Sequence, residues 1–104
     1  MTSTSKKLFN DIKSIVNAYD PYHLIEGGAP EDEYDSYVPG VISLFINNKI
    51  SDPKKAGVTL HDYFVGKFGP DAELGDEKYL EFGNALVDRM RQELNDPGHK
   101  LSSL

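Results

Sequence analysis

The apolar residues of this chain recur at intervals of three and four almost from end to end, and no stretch alternates with the period of two that a half-buried strand requires. This pattern predicts an all-α fold. Leu8, Ile12, Ile15, Val16 and Tyr19 form one stripe and predict a helix over residues 5–19, capped by Thr4 or Ser5. Asp20-Pro21 closes it, because proline lacks the amide donor and drives the preceding residue toward extended geometry. Val38, Val41, Ile42, Phe45 and Ile46 mark a second helix, with Asp35 or Ser36 as its N-cap and Pro39 in its first turn. Asn47-Asn48 or Ser51-Asp52-Pro53 ends it.

Residues 51–58, SDPKKAGV, read as a linker with turn chemistry. Thr59 is then the next N-cap, Asp62 completes an approximate capping box, and Leu60, Phe64, Val65 and Phe68 make a short third helix that Gly69-Pro70 stops. Asp76 caps a fourth helix whose core face is Tyr79 or Leu80, followed by Gly83, Leu86, Val87, Met90 and Leu94. Gly83 on that face suggests close approach of another helix, the alternative being a tolerated glycine that costs about 1 kcal/mol against Ala. Asp96-Pro97-Gly98 ends the helix, and the tail, residues 96–104, is expected to be mobile. The expected architecture is a single domain over residues 1–104, a small irregular four-helix bundle with a long acidic loop between helices 1 and 2.

That loop, Asp20 to Asp35, is the most distinctive stretch. Between Lys13 and Lys49 there is no Lys or Arg, while Asp20, Glu26, Glu31, Asp32, Glu33 and Asp35 all fall inside the gap. The chain has 17 acidic and 11 basic residues, so these six acids equal its whole excess charge of -6. Such a field repels nucleic acid and attracts a basic protein or a cation.

Several classes of chemistry are disfavoured. With no cysteine there is no disulfide, thiolate metal site or thiol nucleophile. No apolar run reaches the roughly 20 residues of a membrane helix, and the N-terminus lacks the apolar core of a signal peptide, so a cytoplasmic location is expected. No nucleophile elbow, phosphate loop, dinucleotide fingerprint or zinc spacing is present, and the acid run lacks the alternation of a calcium-binding loop. Neither a catalytic constellation nor a cofactor or metal site is therefore expected. The alternative is a small-ligand or metal-binding protein using His23, Glu26 and the acid run, or a regulatory scaffold in which the loop is structural.

Protein binding fits the composition of the loop best. The expected contact residues are Tyr22, Glu26, Glu31, Asp32, Glu33, Tyr34 and Asp35, since tyrosine offers a large contact area and carboxylates steer a basic partner. Tyr19, Tyr22, Tyr34 and Tyr37 all lie in or beside the acidic stretch, and at least two of the four are expected to be structural, pinning the loop with locally bonded hydroxyls.

The strings Asn17-Ala18-Tyr19-Asp20-Pro21 and Gly28-Ala29-Pro30-Glu31-Asp32-Glu33-Tyr34-Asp35 resemble the YugE-like family, small bacterial proteins classed as a domain of unknown function. The resemblance runs from about Ile12 to Phe68, with Tyr19 standing where Trp is expected and Ser36 where Pro is expected. It implies a compact helical fold and supplies no catalytic residue. In size, acidity and lack of cysteine the chain also looks like bacterial immunity proteins, which implies an antitoxin that binds and neutralises a basic toxin domain.

Overall fold

The computed structural model describes residues 3–70 and 74–95. Among these there are four α-helices and no strand, arranged as a small all-α bundle: α1 (Ser3–Tyr19), α2 (Val38–Asn47), α3 (Pro53–Phe68) and α4 (Asp76–Asn95). The tail expected to be mobile, and the proposed stop at Asp96-Pro97-Gly98, lie outside the described residues.

The large apolar residues of each stripe build one core. Leu8, Ile12 and Val16 of α1, Val38, Val41 and Phe45 of α2, Leu60 and Phe64 of α3, and Tyr79, Phe82, Leu86, Val87 and Met90 of α4 are all buried. Aromatic rings fill its centre: Tyr19 stacks on Phe82 with ring centroids 5.0 Å apart, and Phe64 lies 6.2 Å from Phe82. Complete burial of an aliphatic or Phe side chain contributes about 1.5–3 kcal/mol, so this cluster carries most of the stability. One polar staple joins α1 to α4. Arg89 Nε donates to Asp11 Oδ2 at 2.7 Å, and this bond holds the Asp11 carboxyl below the ordinary carboxylate range against the opposing effect of desolvation.

The structure corrects several sequence expectations. Residues 51–58 are not a linker. The helix expected to start at Thr59 starts at Pro53, because the Asp52 side chain accepts from the Lys55 amide at 2.9 Å and proline suits the first turn. Its first turns bury Ala56 and Gly57, residues too small to register in a hydrophobic stripe.

Asp35 and Ser36 do not cap α2. They belong to a 3₁₀ turn, Asp35–Tyr37, that runs directly into it. Asp76 lies within α4, and the Gly75 carbonyl, which accepts from the Tyr79 amide at 3.0 Å, closes the first turn. Thr4 and Ser5 lie inside α1, which begins at Ser3. Ile46, placed on the core stripe of α2, is 52% exposed, and Leu80 points outward while Tyr79 and Phe82 face the core.

Gly83 does mark a close helix approach. A Cβ added there would stand 2.5 Å from the Gly57 nitrogen and 2.8 Å from the Pro53 carbonyl oxygen, both backbone atoms that cannot swing aside. Gly66, also within a helix, has open space where its Cβ would go. Gly83→Ala should therefore destabilise the fold by about 1–3 kcal/mol through overpacking, whereas Gly66→Ala should stabilise it by about 0.4–1 kcal/mol by restricting the unfolded chain. Urea unfolding of the two variants checks both signs; equal effects would contradict the proposed backbone contact.

Candidate functional site

The acidic loop is built around Asp20. The Asp20 amide donates to the Val16 carbonyl at 2.8 Å, the last bond of α1, and Asp20 then takes a φ of 47°. This left-handed conformation is costly for most residues but is tolerated by Asp, whose short side chain can bond nearby backbone. Asp20 does so. Its Oδ1 accepts from the Ile25 amide at 3.1 Å and its Oδ2 from the Glu26 amide at 2.9 Å. Pro21, fully buried, prevents α1 from continuing.

Tyr34 closes the loop from its other end. Its hydroxyl donates to Asp20 Oδ1 at 2.7 Å and accepts from the Tyr22 amide at 3.0 Å. Its ring packs edge-on against Phe64 and Phe68, with centroids 6.2 and 6.1 Å away. One side chain thus joins the core to both ends of a fifteen-residue connection, residues 20–34. Asn17 Nδ2 donates to the Glu31 carbonyl at 2.8 Å, and the Lys13 ammonium lies 3.2 Å from Asp35 Oδ2. Successive turns, from Glu33 to Pro30, Asp35 to Asp32 and Tyr37 to Tyr34, carry the chain into α2. Gly28, at φ 104°, supplies the reversal between the two halves.

Electrostatics follow from this cage. Desolvation alone would raise the Asp20 pKa, but the bonds from the Tyr34 hydroxyl and the Glu26 and Ile25 amides outweigh it and hold the carboxyl below its ordinary range. Burial, followed by the bond to Asp20, pushes the Tyr34 phenol well above its ordinary value, so it stays a neutral donor.

The expected contact residues separate into two groups. Glu26, Glu31, Asp32 and Glu33 are exposed. Those of the last three form no ion pair among the described residues, while Glu26 Oε1 lies 2.5 Å from His23 Nδ1. Tyr34 is the correction: it is completely buried, so it offers no contact surface and instead locks the loop. Asp35 is half-buried against Lys13, and Tyr22 is half-buried, its ring on Phe68 and its hydroxyl donating to the Gly69 carbonyl at 2.5 Å. Tyr19 and Tyr37 are also partly buried against the core.

Sequence reading missed Asp20 as the centre of the loop. In sequence it reads as a helix stop and as one of six clustered acids, although its chemistry as a two-oxygen acceptor is the available signal. Among the described residues no group of three or more His, Asp or Glu side chains is placed to hold a metal ion, so His23 and Glu26 gain no further donor from the acid run. Also among the described residues, no helix is long and apolar enough to cross a membrane.

No protein-family model matches the chain, and comparison with curated proteins and with solved structures finds no match.

Asp20→Asn should cost about 1 kcal/mol near neutral pH, because an amide cannot accept at both oxygen positions, so one of the loop's donors loses its partner and the charge that strengthens the others is removed. The folded carboxyl titrates below its unfolded value of about 3.9, so its contribution is complete above that pH and is lost as pH falls through the lowered folded value. Thermal melts of the two proteins should accordingly differ most near neutrality and converge below about pH 4. A gap that persists unchanged into acid would contradict the role of the Asp20 charge.

Proposed function

We propose that this chain is a non-catalytic protein-binding domain whose acidic loop engages a basic protein. The observation that carries the reading is the combination of exposed Glu31, Asp32 and Glu33, lacking ion pairs among the described residues, with a loop backbone fixed by Asp20, Asn17 and Tyr34. Neighbouring like charges repel one another, and these gain no compensating ion pair among the described residues. Held on an ordered backbone, they lose little entropy on binding and steer a cationic partner during encounter.

The contact surface is Glu26, Glu31, Asp32 and Glu33, with Tyr22 and Asp35 at its edge. Neutralisation of a basic toxin domain, as an immunity or antitoxin protein, is the specific role that fits a small acidic helical scaffold. Membership of the YugE-like family is a further proposal, resting on the loop string alone, and it names no activity.

The test is a pull-down from a lysate of the source cells, comparing the natural chain with a variant carrying Glu31→Lys, Asp32→Lys and Glu33→Lys. A basic protein retained by the natural chain at low salt, released by added salt and absent from the variant is the expected result. The variant should keep its helical circular dichroism, because these side chains are exposed. Undiminished binding by the variant would place the interface elsewhere. If the retained protein is toxic when expressed alone and harmless when coexpressed with this chain, the immunity role follows.

A further inference from the structure

A second surface lies on the opposite half of the sequence. Gly83 faces Pro53 to Gly57, Gly57 faces Tyr79 and Leu80, and Arg91 Nη2 donates to the Ser51 carbonyl at 3.3 Å, so α3 and α4 run antiparallel. Between them opens a groove of about 580 Å³, lined by Lys54, Gly57, Val58 and His61 of α3 and by Asp76, Tyr79 and Leu80 of α4. Both sets follow three- and four-residue spacing, so each is a single helix face. Gly57 contributes no side chain, which leaves backbone at the floor. Val58 and Leu80 stand at the rim, 57% and 45% exposed, and are two of the three large apolar residues left open to solvent among the described residues.

The charges on this face are arranged by position. Lys54 lies in the first turn of α3, where the helix dipole is positive and no acid is present, with only the Asp52 cap to offset it. Neither Lys54 nor Asp76 forms an ion pair among the described residues. Because the helices are antiparallel, the two stand at opposite ends of the groove, about 10 Å apart at 1.5 Å per residue. Asp62, beside His61, lies at the same end as Asp76. The face therefore has a cationic end, an apolar centre and an anionic end.

Such a face is complementary to itself. A two-fold axis perpendicular to the helices, passing over Val58 and Leu80, reverses a second copy end for end. It brings each Lys54 to the acidic end of the other copy and covers both apolar rims. We propose that this groove is a self-association surface and that its occupant is the α3/α4 face of a second copy. α3 spans about 24 Å, which suits an interface near the lower limit of about 1,200 Å² for specific pairs and so a reversible dimer.

Sedimentation velocity over a concentration series of the purified chain should show mass rising from monomer toward dimer. Leu80→Glu should raise the dimer dissociation constant at least about tenfold, with an unchanged melting curve because Leu80 packs little within the monomer. Lys54→Glu alone should weaken association, and Lys54→Glu combined with Asp76→Lys should restore it, because the exchanged charges again meet their opposites. The Glu31, Asp32 and Glu33 reversal should leave the dimer intact, which separates this surface from the acidic loop. A natural chain that remains monomeric at the highest concentration, including one whose groove takes up a small apolar dye or another protein instead, overturns the proposal. So does a Leu80→Glu dimer as tight as the natural one.

Discussion

The hydroxyl of Tyr34 ties the two ends of the acidic connection to each other from within the core. It donates to the Asp20 carboxylate and accepts the Tyr22 amide, while its ring sits in the core against Phe64 and Phe68. The connection between α1 and α2 contains few large apolar residues and six of the chain's acids, so hydrophobic burial alone cannot order it. A buried polar pair can, because leaving either partner unmatched costs more than forming the bond returns. The positive φ of Asp20 is supported by the same contacts.

This cage explains how strongly acidic sequence can coexist with an ordered fold. Asp20 turns its charge inward, where three donors meet it, and Asp35 is neutralised by Lys13. The acids between them turn outward. One run of residues thus divides into carboxylates that build the loop and carboxylates that the loop displays. The bundle beneath is held by a different device, the close backbone approach of α3 and α4 at Gly57 and Gly83, which sets the helix pair whose outer face forms the apolar groove.

What was legible in the sequence follows from the size of the signal each residue carries. Leu8, Ile12, Val16, Val41, Phe45, Leu60 and Phe64 are large and periodic, and their burial matches the stripes read from spacing alone. Gly83 stands out as a glycine on an otherwise apolar face, and the backbone of α3 against it decides for close approach over a merely tolerated glycine. The first turns of α3 were not, since Ala56 and Gly57 pack by being small and the start depends on Asp52 acting as a cap. Phe82 is less legible because the apolar period of α4 runs through Gly83, one residue beyond it. Tyr34 misled for another reason. Among four acidic neighbours a tyrosine reads as surface, and only the return of the chain over Asp20, a contact fourteen residues distant in sequence, turns it inward.

The central claim is that the acidic loop is an ordered platform held by Tyr34 and Asp20. Amide hydrogen exchange at Tyr22, Ile25 and Glu26 tests it most directly, since each of these amides donates to the Tyr34 hydroxyl or the Asp20 carboxylate. The account predicts that all three are protected in the natural chain and that Tyr34→Phe releases the Tyr22 amide while the amides of α3 and α4 stay protected. Rapid exchange at these amides in the natural chain, or protection that survives Tyr34→Phe at Tyr22, would contradict it.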